Sequence, residues 1–174
     1  MRLHCSRILH DWLQDAGSLT ARLITQSHGE FKVEVLFQGF GQIRLDERRA
    51  LGLNKHHATL VREVILYGNN QPWVFARSLL PLSSLTGRLR HLRKASRKPL
   101  GAFLFKQTHL QRSPIEITRI HQKHHYLPEY LLQKQSVWGR RSVFFVDQKP
   151  LLVSEVFLPD FVMNIESTTQ RRMD

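Results

Sequence analysis

The stretch from Ala58 to Leu80 constrains this chain more than any other. Two strand-like runs, Ala58 to Tyr67 and Gln71 to Leu80, flank Gly68-Asn69-Asn70, residues that accept the positive φ of a tight reversal. They predict an antiparallel hairpin. Because side chains alternate along a strand, Leu60, Arg62, Val64 and Leu66 share one face of the first run, and Trp73, Phe75, Arg77 and Leu79 share one face of the second. Each apolar row carries one arginine. Symmetric closure about Asn69 and Asn70 pairs Tyr67 with Pro72 and sets Arg62 opposite Arg77. Two guanidinium groups about 5 Å apart repel by about 3 kcal/mol at an effective dielectric of about 20. A dianionic ligand would compensate them, since each planar fork binds a carboxylate through two hydrogen bonds.

A later run repeats the pattern with the opposite sign: Leu151, Val153, Glu155 and Phe157 fall on one face. Glu155 is an acid in an apolar row. It fits a structural ion pair with one of the arginines, a strand face that is only half covered, or a contact to a polar ligand in a pocket the arginines share.

The flanking segments supply helices. Ile8, Leu9, Trp12 and Leu13 recur at helical spacing between Arg7 and Ala16; Gly17 ends that helix and Ser18 caps a second one carrying Leu19, Leu23 and Ile24. Phe31, Val33, Val35 and Phe37 read as a strand, closed by Gly39 and Gly41, with Asp46 capping a helical turn beyond it. Ser83 to Ala95 places Leu85, Leu89 and Leu92 at helical spacing with a solvated basic face, and Lys98 to Phe105 starts a further helical turn at Pro99. Gln111 to Arg119 predicts another strand, and Ser142 to Asp147 with Leu151 to Leu158 a second hairpin turning through Gln148-Lys149-Pro150. After Pro159 the periodicity is lost, so 160–174 reads as a polar C-terminal tail. Strand pairs at short turns, with helices between them, predict one α+β domain built on a mainly antiparallel sheet. The 174 residues, 41% of them hydrophobic, suffice for a single core.

Composition narrows the function classes. No apolar run approaches the roughly 18 residues of a membrane span, and a single cysteine, Cys5, excludes an internal disulfide and suits a reducing, cytoplasmic setting. The net charge of +12 would attract a polyanion. However, the excess concentrates between Arg88 and Lys98 and between Arg119 and Lys134, and no nucleic-acid-binding signature accompanies it. His121, His124 and His125 have helical spacing but lack the further ligands a zinc site needs, so no metal is expected.

Several separated motifs together resemble bacterial chorismate lyase, from about Trp12 to Pro159. They are Ser18-Leu19-Thr20, Val61-Arg62-Glu63, Pro72-Trp73 with Ala76-Arg77 and Pro81, Lys98-Pro99-Leu100-Gly101, Trp138-Gly139-Arg140-Arg141-Ser142, Lys149-Pro150-Leu151-Leu152 and Glu155-Val156-Phe157-Leu158-Pro159. Their order and spacing carry the likeness. The resemblance implies a sheet of about six antiparallel strands with helical segments over an internal ligand site, spanning 1–159. It also implies a cofactor-independent conversion of chorismate to 4-hydroxybenzoate and pyruvate on the way to ubiquinone, by a monomer acting on a small molecule and not on nucleic acid. By motif, Arg62 would bind the ring carboxylate, Glu155 the ring hydroxyl, and Arg77 would lie beside the enolpyruvyl group, with backbone at Leu19 and Leu100 completing the enclosure. Arg77 and Glu155 are the implied catalytic pair. The best-known enzyme of the family has methionine where this chain has Leu19, and the segment near 120–135 looks like an insertion. A related fold serves as a ligand-sensing module, so non-catalytic binding of a carboxylated metabolite is the alternative.

Overall fold

Hairpin residues and amphipathic helices take the places their patterns dictate. The computed structural model describes residues 5–54, 56–94, 97–131 and 135–173, the last three of these as backbone only. Ser6 and Ser18 cap helices α1 (Arg7–Gln14) and α2 (Leu19–Gln26), each hydroxyl accepting an amide three residues on. Strand β1 (Phe31–Phe40) follows, then the short helix α3 (Leu45–Ala50). The long hairpin β2 (Thr59–Gly68) and β3 (Gln71–Pro81) leads into two 3-10 segments, Leu82–Ser84 and Gly87–Arg93, and helix α4 (Leu100–Leu104). Strands β4 (Gln111–Arg112) and β5 (Glu116–Ile120), the hairpin β6 (Val137–Val146) and β7 (Lys149–Phe157), and helix α5 (Pro159–Met173) complete the chain.

Every strand pair is antiparallel, in the order β1-β2-β3-β7-β6-β4, with β5 also paired to β6. The sheet is thus six strands wide, and the seventh strand arises because Ser113-Pro114 interrupts the run expected over Gln111 to Arg119. Helices α1, α2 and α5 pack Leu9, Trp12, Leu13, Leu23, Phe161 and Ile165 against one end of the inner face. The 3-10 segments and α4 pack Leu85, Leu89 and Leu104 against the other end. Between these two clusters the inner face is left for a site.

The structure corrects several expectations. The tail after Pro159 is a helix: Phe161 and Ile165, four apart, are buried, and Phe161 packs edge-on to Trp12. Ser83 to Ala95 forms 3-10 turns instead of a regular helix, and Ala95 lies outside the described residues. Asp46 does not cap α3; it sits in the first turn, and the Glu47 side chain instead accepts the Arg44 amide at 2.8 Å. The last hairpin turns at Asp147-Gln148, both at positive φ, two residues earlier than Pro150 suggested. Within the segment 120–135, residues 132–134 lie outside the described residues, while Tyr126, Leu127 and Leu131 pack on the outer face against Ile65, Phe75 and Val156.

The hairpin register decides the chemistry. Tyr67 does face Pro72, but Leu66 then faces Val74, so Trp73 is an extra residue in a bulge. Its ring lies over Gly68, where an added Cβ would come within 2.2 Å, and meets Phe161 with centroids 5.5 Å apart. Beyond the bulge every pairing is shifted by one: Arg62 faces Ser78, and Arg77 faces Glu63. A one-residue shift moves a strand's side chains to the other face. Arg62 therefore points inward and Arg77 outward.

Candidate active site

The inner-face pocket has a sheet floor and a helical roof. Arg62, Ser78, Val153, Glu155, Arg140 and Phe144 form its floor, Gly17, Leu19 and Thr20 one side of its roof, and Pro99, Leu100 and Gly101 the other. Arg112 closes the β4 end. Three arginines and one glutamate leave the lining two charges positive. The enclosed space is narrow, about 40 Å³. The roof is closely fitted at Gly101, where a Cβ would approach Thr20 Oγ1 to 3.0 Å.

Arg62 is buried and makes only neutral contacts in the described structure: Nη1 donates to Gln38 Oε1 at 2.5 Å and Nη2 to the Lys98 carbonyl at 3.1 Å. Burial pushes its pKa down, the sign of a cation whose charge the protein leaves largely uncompensated. Arg112 is also lowered, by burial first and then by the charge of Arg140. It donates to Ser142 Oγ at 2.9 Å and to the Ala16 carbonyl at 2.9 Å, and its guanidinium lies over the Phe144 ring.

Glu155 faces Arg140 across β7 and β6 and accepts from its Nε at 2.6 Å. Arg140 Nη1 also donates to the carbonyls of Trp12 and Asp15 at 2.8 and 2.7 Å, which seats the C-terminal end of α1. Glu155 is thus ion-paired, with Arg140 and not with Arg62 or Arg77, and its carboxylate lines the pocket.

Of the residues singled out in the sequence, the structure gathers Leu19, Arg62, Leu100 and Glu155 at this pocket and places Arg77 elsewhere. On the outer face Arg77 donates from Nε and Nη2 to Glu47 at 2.8 and 3.1 Å and from Nη1 to Glu63 at 2.7 Å. Burial would depress its pKa, but the hydrogen bond and charge of Glu47, then Glu63, raise it instead. The expectation of two opposed arginines is overturned because it counted no bulge at Trp73. Arg112 and Arg140 were the residues missed. Counting alternation back from Phe144 through Ser142 brings Arg140 into the pocket row, whereas Arg112, on a two-residue strand, leaves no periodic signal.

A larger cleft of about 510 Å³ opens on the outer face beside α3 and β5. Its charges largely satisfy one another: Arg141 binds Asp46 and Glu116, each at 2.7 Å, and Glu47 holds Arg77. The half-buried Tyr126 also lines it, its phenol pushed up to about 12 by burial despite a hydrogen bond with Ser154 that acts the other way. Arg119 also lines it, donating from Nη2 to Ser136 Oγ at 2.8 Å, while its buried Nε has no hydrogen-bond partner among the described residues.

A six-strand-wide antiparallel sheet whose inner face holds an arginine-rich pocket under a helical roof defines an α+β domain suited to small organic acids. Bacillus cereus has a solved GntR-family transcriptional regulator with a similar fold, TM-score 0.55, at 9% identity over 75% of this chain and 93% of that one. Sequence comparison is more specific. The chain belongs to the chorismate lyase family, whose model matches residues 2–166. A "Probable chorismate pyruvate-lyase" from Pseudomonas aeruginosa UCBPP-PA14 is 41% identical over 86% of this chain and 82% of its own length. A "Probable chorismate pyruvate-lyase 2" from Pseudomonas entomophila L48 is 44% identical over 86% and 79%.

Proposed function

We propose that this lyase converts chorismate to 4-hydroxybenzoate and pyruvate in the inner pocket, as a cytoplasmic monomer without a cofactor, supplying the first committed step toward ubiquinone. The observation that carries the reading is Arg62, a buried guanidinium with neutral partners, in a pocket two charges positive. Chorismate carries two carboxylates. Arg62 holds the ring carboxylate, and Arg112, with Arg140 behind it, takes the enolpyruvyl carboxylate, the role that the outward-facing Arg77 cannot fill. Glu155, fixed by Arg140, accepts from the ring hydroxyl. Backbone groups at Leu19 and Leu100 enclose the ring.

In the reaction the ether bond at ring carbon 3 breaks as the proton leaves carbon 4. Its electron pair completes the aromatic ring, and the enolpyruvate fragment takes a proton at its methylene carbon to become pyruvate. Positive charge beside the departing fragment stabilises what develops there. The proton moves within the substrate or by way of Glu155. A pocket this enclosed also retains its product, so release limits turnover.

The test is incubation of the purified, chelator-treated chain with chorismate, following 4-hydroxybenzoate and pyruvate against a no-enzyme control. Equal formation of both is expected. Tight 4-hydroxybenzoate binding with neither product formed would replace this reading with a non-catalytic carboxylate-sensing module.

A further inference from the structure

Between Glu63 and Glu116 the chain carries nine arginines and lysines and no acidic residue. Most of these cations lie in the cap that the 3-10 segments and α4 form over one end of the inner face, with Leu85, Leu89 and Leu104 on its buried side. In the segment Gly87–Arg93, Leu89 and Leu92 turn toward that core, which leaves Arg88, Arg90 and Arg93 exposed. Three residues make one 3-10 turn, so Arg90 and Arg93 share a side. Lys94, Arg97 and Lys106 are exposed as well. Of these six, only Arg88 is ion-paired among the described residues, to Asp147 at 2.7 Å. Such a concentration of one sign repels itself and attracts polyanions.

The cap also has aromatic edges. Phe40 is 65% exposed and pairs across the strands with Leu60, which packs beneath the cap, so its ring stands at the sheet edge beside the basic segment. Gln38, on the same side of β1, donates to the Leu92 carbonyl at 3.3 Å and ties that edge to the segment. Phe105, 37% exposed, ends α4 next to Lys106. Cations that attract a charged surface, flanked by apolar rings that enter its headgroup boundary, are the means by which a protein lies on a bilayer. No helix among the described residues is long and apolar enough to cross one.

We infer that the cap is a docking face for an anionic phospholipid bilayer, with Arg90, Lys94 and Lys106 over the headgroups and Phe40 and Phe105 at the acyl boundary. A nucleic-acid duplex fits less well. Two 3-10 segments and a five-residue helix offer no element long enough to lie in a groove, and a duplex would leave the two rings in water. In the docked state the roof formed by Pro99, Leu100 and Gly101 lies against the membrane. The inference goes beyond the lyase reading and needs no part of it.

Co-sedimentation of the full chain with vesicles tests the docking face. Near physiological salt the chain should bind phosphatidylcholine vesicles containing about one-third phosphatidylglycerol, and not vesicles of phosphatidylcholine alone. R90E/K94E/K106E should lose about a hundredfold in affinity, the share of three interfacial cations. R7E/R49E/K123E has the same net charge from exposed positions outside the cap and should lose far less. Phe40→Ser, with every charge in place, should lose about tenfold. Unchanged Tm in all three variants checks that each is folded. No binding to the anionic vesicles, equal losses in the two triple variants, or an unaffected Phe40→Ser overturns the proposal. Tighter binding to duplex DNA or polyuridylate than to the vesicles would replace it with a nucleic-acid surface. Turnover of chorismate in vesicle-free buffer judges the lyase reading separately.

Discussion

Replacing Arg77 separates a structural from a catalytic role. Its guanidinium binds both oxygens of Glu47 and one of Glu63, and the Glu47 side chain is only 1% exposed. Arg77→Ala leaves that carboxylate buried with the Arg44 amide as its remaining hydrogen-bond donor. Breaking a buried pair from one side costs about 3–5 kcal/mol. At about 2–4 °C per kcal/mol for a chain of this size, Tm should fall by about 6–20 °C. Arg62→Met is the counterpart: it replaces a desolvated charge with an apolar chain of similar length, so stability should stay within about 1 kcal/mol. Carboxylate affinity should nevertheless fall about a hundredfold or more, since two charge-assisted bonds of about 1.5–3 kcal/mol each disappear. Thermal unfolding by circular dichroism, with 4-hydroxybenzoate titration of both variants, reads the contrast. An Arg77→Ala variant with unchanged Tm and abolished turnover would place Arg77 at the reacting atoms and refute its assignment to the outer face.

Other outcomes follow from single contacts. Gly68→Ala drives a methyl into the Trp73 ring and should cost about 3 kcal/mol in chemical denaturation; a neutral effect would mean that the bulge is absent. Ser142→Val removes the acceptor for Arg112 Nε and should raise KM about tenfold with little change in Tm, whereas an unchanged KM would remove Arg112 from the substrate's reach. Of the three tyrosines, Tyr67 and Tyr126 are pushed up to about 12, in each case chiefly by burial, and Tyr130 is raised as well. Because phenols in the unfolded chain ionise near pH 10, this contribution to stability is complete below about pH 10 and is lost as pH rises through about 12. Ultraviolet titration should show little phenolate in the folded protein at about pH 10 and its appearance on unfolding; full ionisation of the folded protein there would contradict the packing of Tyr126.

The helices at the start, both hairpins and the α+β class were legible because each depends on local periodicity and turn chemistry. Arg62 and Glu155 were legible as charges in apolar rows. The placement of Arg77 was not, since one extra residue at Trp73 inverts the face of everything beyond it, and that bulge exists for a long-range reason, the meeting of Trp73 with Phe161. Helix α5 was missed for a related cause: only Phe161 and Ile165 among its described side chains are fully buried apolar residues, a stripe too sparse to set a period. Arg112 and Arg140 became site residues through pairings between distant segments, which no local pattern encodes.

The carbonyls of Trp12 and Asp15 that receive Arg140 lie 128 and 125 residues before it. During synthesis, α1 leaves the ribosome long before β6 exists to anchor it. At the usual elongation rates that interval lasts about 6–25 s, during which α1 can meet β2 and β3 but lacks its arginine. The pocket therefore cannot mature stepwise from the N-terminus. It forms when one of the last hairpins reaches back to the first helix, so a chain stalled before Arg140 lacks both a wall of the pocket and the anchor of its roof.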